Sequence, residues 1–243
     1  MSPDFSQVKH IFFDLDHTLW DFEENAKICL TDIFHTHHIP ELGVTDFDLF
    51  FQTFSQVNKT FWYLLDTKQI THEELRKERF RSTLADLNVV ISEAESEAMN
   101  TQFLALLPNQ AHLMPHTLEI LSALKPHFQL HVLSNGFEQV QRKKMASGGI
   151  LPYFTHVITH DMAQAHKPSP AIFMYALITA NCSPHEALMV GDNWVADIEG
   201  AMHMGIPAIH YDPTQDLQES PQFVRIPSLH HIPQLLRPCL SLS

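Results

Sequence analysis

Cysteine and glycine are scarce in this chain, and each shortage excludes a class of protein. The 243 residues contain three cysteines, Cys29, Cys182 and Cys239, which lie far apart and form no CxxC pair. An odd number of scattered cysteines argues against a disulfide framework and favours a reducing, cytoplasmic compartment. The seven glycines form neither a GxxxxGK nor a GxGxxG pattern, which argues against an ATP- or NAD-binding loop.

Positive charge and long apolar runs are also in short supply. There are 15 lysines and arginines against 28 aspartates and glutamates, so the formal net charge is −13. This charge argues against binding nucleic-acid polymers, because these need a basic surface to displace counterions. A small phosphate ligand needs only one metal ion and one lysine. No apolar run approaches the roughly 18 residues that span a membrane, and no basic start precedes a long apolar core, so we expect neither a membrane segment nor a signal peptide.

The chain does contain a normal hydrophobic share, 44% of its residues, in regular patterns. Apolar runs predict buried strands at 11–13, 128–133, 156–159, 187–190 and 206–211. Helical stretches separate them. One begins at Pro115, and two begin with a serine N-cap followed by proline, Ser169-Pro170 and Ser183-Pro184. This alternation predicts an α/β core, a Rossmann-like parallel sheet with helices on both faces, in which ligands collect at the carboxyl ends of the strands.

Residues from about 21 to 107 follow another pattern. Their apolar side chains keep a helical spacing, and no convincing strand interrupts them. Two capping boxes mark helix starts, one formed by Thr71 with Glu74 and the other by Ser92 with Glu95. An all-helical stretch between the first strand and the rest of a sheet predicts a separate small domain.

The expected boundaries give the inserted helical domain residues 20–108 and leave 1–19 and 109–243 for the α/β core. Aromatic side chains at helical spacing predict a packed interior for the insert. Some of its aromatic residues are alternatively candidates for lining a substrate cleft, namely Phe22, Phe61 or Trp62.

The most informative stretch lies close to the N-terminus, where Asp14 and Asp16 follow the first apolar run. Two carboxylates at the end of a buried strand repel each other and lose hydration, which is costly unless a cation or a reacting group lies between them. The pair therefore predicts a hard divalent ion. Mg²⁺ fits carboxylate ligands that leave room for phosphate oxygens, and Mn²⁺ and Co²⁺ are alternatives. The plain structural alternative is a solvated loop after an edge strand.

Four short motifs agree with one chemistry. In chain order they are Asp14-x-Asp16-x-Thr18, Leu133-Ser134-Asn135-Gly136, Lys167-Pro168, and Gly191-Asp192-Asn193 followed by Asp197. Each alone is explained by a loop, a turn, a helix entry or an N-cap, but the ordered set is specific. With these motifs the chain resembles, over essentially its whole length, the haloacid dehalogenase-like hydrolases, which are mostly Mg²⁺-dependent phosphatases. The insert between the first two motifs resembles the helical cap of one subfamily, with the rest of the chain as the catalytic core.

The resemblance implies a role for each motif residue. Asp14 is the expected nucleophile, which forms an aspartyl-phosphate. Asp16 is the expected general acid and base, and its backbone carbonyl also contacts the metal. Ser134 and Asn135 are expected to bind the substrate phosphate. Lys167 is expected to supply positive charge to the phosphate and to Asp14.

The last motif is expected to complete the metal site. Asp192 would join Asp14 and Asp16 as a metal ligand. Asp197 would either hold metal-bound water or orient Lys167, although a purely structural carboxylate explains it nearly as well. Further candidates beside these positions are Thr18 and Asn193.

The substrate is harder to infer than the reaction. Dehalogenating relatives lack an aspartate at the position of Asp16, so its presence favours phosphate ester hydrolysis over carbon–halogen cleavage. Segments 19–22 and 57–62 are similar to those of a bacterial branch of pyrimidine 5′-nucleotidases, which implies a nucleoside monophosphate as substrate. Two alternatives stay open: a phosphatase or mutase of another small metabolite, such as phosphoglycolate or a sugar phosphate, and a catalytically silent binding or scaffold protein. The intact motifs argue against the silent protein.

Overall fold

The computed structural model describes residues 3–215 and 218–236. The chain divides into two compact units, one formed by Met1–Asp21 with Ala111–Ser243 and the other by Phe22–Gln110. The first unit contains the β-sheet and the second is helical, so the chain leaves the sheet after its first strand, builds a separate unit and returns. None of the described helices has the length and apolar character needed to cross a membrane.

Four α-helices make up most of the inserted unit, and the last three begin with a side-chain N-cap. They are α1 Phe22–Thr36, α2 Phe47–Asp66, α3 His72–Asp86 and α4 Glu93–Leu106. At α3 the Thr71 hydroxyl accepts a hydrogen bond from the Glu74 backbone N–H, and the Glu74 carboxylate accepts one from the Thr71 N–H. Ser92 and Glu95 repeat this arrangement at α4, so both predicted capping boxes are confirmed. No strand forms within this unit, all of which is described.

Aromatic side chains form much of the interior of the insert. Its completely buried rings are those of Phe50, Phe54, Phe80 and Phe103. Helical spacing therefore marks a packed core at these positions. Of the residues considered for a cleft, Phe22 is buried, whereas Phe61 and Trp62 are half-buried.

Seven strands form one sheet in the first unit. They are β1 His10–Phe13, β2 Gln129–Ser134, β3 His156–Thr159, β4 Ala187–Gly191, β5 Ala208–Tyr211, β6 Gln218–Glu219 and β7 Phe223–Ile226. Their order is β3-β2-β1-β4-β5-β7-β6, and among the described strands β6 alone runs antiparallel to its neighbour. The five predicted strands are present close to their expected bounds, which confirms the Rossmann-like α/β fold.

Helices connect the parallel strands, and one short helix follows the last strand. They are α5 Thr117–Leu124, α6 Glu138–Ser147, α7 His160–Ala163, α8 Pro170–Ala180, a π-helical segment Trp194–Glu199 that continues as α9 Gly200–His203, and α10 Ile232–Leu235. The chain runs outward from β1 through β2 to β3 and then crosses back to β4 on the other side of β1. Crossovers between parallel strands are right-handed as a rule, which predicts that the helices of the two halves lie on opposite faces of the sheet. Such sheets bind ligands at the carboxyl ends of the strands where the direction reverses, here between β1 and β4.

Two predicted helix starts differ from the structure. Pro115 lies before α5 rather than in its first turn, because His116 is left-handed, with φ 68°, and the helix begins after it. After Ser183 only a 3-10 turn forms, Pro184–Glu186, since β4 follows immediately. The capping box at Ser183 is nevertheless present, and Ser169 caps α8 as predicted.

The two described cysteines are free thiols. Burial raises the pKa of Cys29 to about 12 and that of Cys182 to about 11. Both thiols therefore stay protonated at neutral pH and are poor nucleophiles. Cys239 lies outside the described residues.

Candidate active site

The predicted motifs meet at the carboxyl ends of three adjacent strands. Asp14 directly follows β1, Ser134 ends β2, and Asp192 directly follows β4. β1 lies between β2 and β4 in the sheet, so these side chains emerge side by side. The pairing of β1 with β4 continues beyond the end of β1, because the Asp14 backbone N–H donates to the Val190 carbonyl at 2.9 Å. Lys167 reaches the same edge from the loop that precedes α8.

Lys167 is the central cation of the site. Its buried Nζ donates to Oδ1 of Asp14 at 2.6 Å, to Oδ1 of Asp197 at 2.6 Å and to the Leu133 carbonyl at 2.8 Å. These three bonds use all three hydrogens of the ammonium group. The Lys167 ammonium group therefore holds Asp14 and Asp197 in fixed positions.

Three buried or half-buried carboxylates surround this single ammonium group. Burial raises the pKa of Asp14, Asp192 and Asp197 above the ordinary value for aspartate. Repulsion between the carboxylates raises these pKa values further, and the Lys167 charge opposes the rise. One positive charge cannot balance three negative ones in a dry site, so the arrangement favours a second cation.

The donor atoms fit a hard divalent cation. One carboxylate oxygen from each of Asp14, Asp192 and Asp197 lies within 4.8 Å of the other two. Both oxygens of Asp197 already accept hydrogen bonds, from Lys167 and from the Asn193 backbone N–H. Among the described contacts, one oxygen of Asp14 and one of Asp192 accept none. An all-oxygen set of this kind is typical of Mg²⁺ rather than of a soft metal.

Asp197 contacts Lys167 directly. The carboxylate is completely buried and bridges Lys167 to the start of the π-helical segment, where the Asn193 N–H donates to Oδ2 at 3.0 Å. The geometry thus agrees with the expectation that Asp197 orients Lys167. Gly191 makes room for it, because a Cβ there would lie 2.2 Å from Oδ2 of Asp197.

The remaining candidates take positions beside these groups. The Thr18 hydroxyl donates to Asp192 at 2.9 Å. Asn193 is exposed, and its side chain caps the π-helical segment by accepting from the Ala196 N–H, so the N-cap is Asn193 and not Asp192. The Asn135 side chain bonds to both backbone groups of Lys167, at 2.7 and 3.0 Å, which fixes the lysine loop.

Two residues of the site escaped the sequence motifs. Gln141 and Lys144 lie one turn apart on α6, and both are buried although the helix is polar in composition. Lys144 donates to Oδ1 of Asp16 at 2.7 Å, and Gln141 donates to Oδ2 of Asp16 at 2.8 Å. Burial by itself raises the pKa of Asp16, but Lys144 and Gln141 outweigh it and leave the pKa below the ordinary value. Their spacing of three residues was the sequence signal for one shared helix face.

Asp16 points away from the other carboxylates. Its side chain lies against α6 and is not part of the cluster formed by Asp14, Asp192 and Asp197. A contact of Asp16 with a metal would therefore come from its backbone carbonyl, as the resemblance implies, because its carboxylate is bound by Gln141 and Lys144.

Comparison with known proteins agrees with these motifs. The haloacid dehalogenase-like hydrolase family profile matches residues 8–205. Pyrimidine 5′-nucleotidase PynA of Streptococcus pneumoniae is 30% identical over 209 residues, which cover 84% of this chain and 84% of that protein. Pyrimidine 5′-nucleotidase YjjG of Escherichia coli is 28% identical over 231 residues, 93% of this chain and 96% of that protein.

A solved structure shares the fold. It is the HAD-hydrolase YfnB of Bacillus subtilis, crystallised with bound magnesium. The two structures superimpose with a TM-score of 0.83 at 23% identity, and the match covers 95% of this chain and 99% of the YfnB chain. The fold, the family match and the relatives agree. The chain is an enzyme and belongs to the haloacid dehalogenase-like hydrolases.

Proposed function

We propose that this enzyme is a Mg²⁺-dependent phosphatase that hydrolyses nucleoside 5′-monophosphates through an aspartyl-phosphate. The observation that carries the proposal is the convergence of Asp14, Ser134, Lys167 and Asp192 at the carboxyl ends of β1, β2 and β4. Phosphoryl transfer needs an oriented nucleophile and positive charge around the phosphate oxygens, and this cluster supplies both.

Asp14 is the proposed nucleophile. Lys167 orients the carboxylate by donating to Oδ1. One carboxylate oxygen would attack phosphorus, and the other would be left to the metal. As the new O–P bond forms, the ester O–P bond breaks. Asp16, which rests ionised, takes up a proton from solvent when the substrate binds and passes it to the departing oxygen. In the second step Asp16 takes a proton from water, whose oxygen attacks phosphorus, and the Asp14 carboxylate and inorganic phosphate are released.

Ser134 is the proposed ligand of a phosphate oxygen, with Lys167 adding charge nearby. Asp14, Asp192 and the Asp16 backbone carbonyl are the proposed holders of Mg²⁺. When bound, the ion would neutralise charge on the phosphate oxygens.

The nucleotide preference rests on the relatives. PynA and YjjG are both named pyrimidine 5′-nucleotidases, and together they match most of this chain. The helical insert is the proposed cap, since loops or domains that close over such a site exclude water and select substrates.

The test is phosphate release from a panel of pyrimidine and purine monophosphates, phosphoglycolate and sugar phosphates, with Mg²⁺ and with a chelator. We expect turnover to be highest on pyrimidine monophosphates, to stop with the chelator and to return when Mg²⁺ is added. Faster turnover of a sugar phosphate or of phosphoglycolate would overturn the nucleotide assignment and keep the chemistry. Unchanged turnover with the chelator would overturn the metal dependence.

Asp14→Asn tests the covalent mechanism in the same assay. We expect a loss of turnover of about 10⁴-fold or more, because the amide is not a nucleophile. The matched control is Asp86→Asn, which removes an exposed carboxylate from α3 and should leave turnover unchanged. Circular dichroism and thermal melting would show that both variants fold. Substantial turnover by purified Asp14→Asn would overturn the aspartyl-phosphate.

A further inference from the structure

The buried face of α6 links two separate parts of the site. Gln141 is completely buried, and its Nε2 lies 2.8 Å from Oδ2 of Asp16 and 2.7 Å from the Ser134 hydroxyl. Lys144 is 5% exposed and lies 2.7 Å from the other oxygen of Asp16. One helix therefore contacts the acid/base candidate and the phosphate-binding hydroxyl at the same time.

Chemistry fixes the orientation of the Gln141 amide. An ionised carboxylate only accepts hydrogen bonds, so the amide must turn its NH₂ group toward Asp16. The second hydrogen of that NH₂ group then points to the Ser134 oxygen. Oε1 of Gln141 is buried without a hydrogen-bond partner in the described structure, so the site accepts a cost to keep this orientation.

The orientation of the Gln141 amide determines whether the Ser134 hydroxyl donates or accepts a hydrogen bond toward the site. Its oxygen accepts from Gln141 and from the Gly136 backbone N–H, at 2.7 and 3.1 Å. A hydroxyl oxygen has two lone pairs, and both are now used. The single hydrogen of Ser134 is left to be donated outward, where a phosphate oxygen would lie.

Asp16 is held at both ends of its carboxylate. Gln141 binds one oxygen and Lys144 binds the other, and the Lys144 ammonium also lies 4.7 Å from the centre of the Trp20 ring. Two contacts from one helix leave the carboxylate little rotational freedom. Gly136 completes this arrangement, because a Cβ there would lie 2.6 Å from the Gln141 side chain.

We propose that Gln141 and Lys144 are positioning residues for phosphoryl transfer. They hold the Asp16 carboxylate for proton transfer to the leaving oxygen, and Gln141 also directs the Ser134 hydroxyl at the phosphate. This inference rests on the proposed phosphatase function.

The test compares two substrates that differ in their need for an acid. A nucleoside monophosphate releases a basic alkoxide that needs a proton, whereas p-nitrophenyl phosphate releases a stable phenolate that does not. We expect Lys144→Met to lower kcat/KM, which reports the step that releases the leaving group, by about 10–100-fold on a pyrimidine monophosphate and by less than about threefold on p-nitrophenyl phosphate. Lys144→Arg should restore part of the lost nucleotide turnover, because it keeps the charge.

Gln141→Leu should impair both the positioning of Asp16 and the contact of the Ser134 hydroxyl with phosphate. We expect the same selective loss of nucleotide turnover and, in addition, about tenfold weaker binding of inorganic phosphate by calorimetry, because the Ser134 hydrogen is no longer directed. The matched controls on α6 are Gln139→Leu and Lys143→Met, which change exposed side chains of the same types. Both should behave like the unmodified enzyme.

The outcomes separate this inference from the function on which it rests. An unmodified enzyme that hydrolyses neither substrate would overturn the phosphatase proposal, and phosphate binding would then decide the role of Gln141. An active enzyme with equal losses of kcat/KM on both substrates and unchanged phosphate binding would show that α6 only supports the fold. Variants that match the controls would overturn the inference directly.

Discussion

At the residue scale, two glycines beside the site provide space rather than backbone freedom. Gly136 and Gly191 are not among the three glycines with positive φ. An added Cβ would collide with Gln141 in the first case and with Asp197 in the second. Each glycine therefore leaves room for a polar side chain that contacts a candidate catalytic residue.

Gly191→Ala tests whether the positions of Asp197 and Lys167 depend on the space beside Gly191. The new methyl group must displace Asp197, so we expect the free energy of unfolding to fall by about 1–3 kcal/mol. We also expect phosphate release to fall at least about tenfold, because Lys167 loses its orienting partner. Urea denaturation and steady-state kinetics measure the two effects.

Gly148→Ala is the matched control. Its Cβ would meet the end of the flexible Leu113 side chain at 2.9 Å, and this side chain can move aside. The control should keep full turnover. Full turnover by Gly191→Ala as well would mean that the position of Asp197 does not matter for the reaction.

The sequence pointed to some site residues and missed others for a physical reason. Asp14, Ser134 and Lys167 stand in short motifs next to strand ends or a helix start, and all lie at one edge of the sheet in the structure. Their catalytic roles remain predictions. Gln141 and Lys144 stand inside a polar helix, where a long polar side chain is ordinarily solvated, and only the tertiary fold shows that both are buried.

At the scale of elements, strands were easier to predict than helix starts. Buried parallel strands are continuous apolar runs, and their ends follow from hydrophobicity alone. The start of a helix depends on the local backbone, as at His116, whose left-handed conformation delays α5 beyond Pro115. The π-helical form of Trp194–Glu199 had no signal in the sequence pattern.

Three histidine rings stack across the adjacent strands β1, β2 and β3. The ring of His131 on β2 lies 5.4 Å from that of His10 on β1 and 5.2 Å from that of His156 on β3. Burial, together with the smaller effects of His10, His156 and Lys125, lowers the pKa of His131 to about 3. Burial also lowers the pKa of His10, although Glu186 opposes this change.

Acidification should therefore destabilise the sheet through His131. An unfolded histidine binds a proton below its ordinary pKa of 6.5, whereas folded His131 stays neutral until about 3. The unfolded state thus binds more protons in this window, and stability falls as the pH falls below about 6.5. We expect the unmodified chain to lose about 1 kcal/mol more than His131→Phe between about pH 7 and pH 5.5.

Urea denaturation at the two pH values measures this difference. Phenylalanine keeps an aromatic ring in the stack and removes the titrating group. His127→Gln, which changes an exposed histidine next to β2, should lose as much stability on acidification as the unmodified chain. Equal losses for His131→Phe and the unmodified chain would show that other groups cause the acid sensitivity.

At the scale of the whole molecule, each of the two units has its own interior. The insert is organised around Arg79 on α3, a buried guanidinium that donates to the side-chain carbonyls of Asn58 on α2 and Asn100 on α4. The guanidinium also lies 4.7 Å from the centre of the Phe103 ring. Burial lowers the pKa of Arg79 to about 9, so the group is still charged at neutral pH. These contacts join three of the four helices of the insert.

Arg79→Met should destabilise the insert and leave the sheet intact. The substitution leaves two buried carbonyl oxygens without donors, at a cost of about 1–3 kcal/mol each. Because every contact named for Arg79 lies within residues 22–110, we expect faster hydrogen exchange there and unchanged protection in β1, β2 and β4. Hydrogen–deuterium exchange with mass spectrometry locates the effect. Equal loss of protection in both units would mean that the two interiors unfold together.

A triple variant distinguishes the lost packing of the guanidinium from the orphaned oxygens as the cause. Arg79→Met combined with Asn58→Leu and Asn100→Leu removes the guanidinium and both carbonyls that need it. A buried polar cluster replaced as a whole by apolar side chains is often neutral for stability, because no group is left unpaired. We therefore expect the triple variant to recover most of the protection that Arg79→Met loses. If it does not recover, the packing of the guanidinium on the aromatic rings, rather than its hydrogen bonds, holds the helices of the insert together.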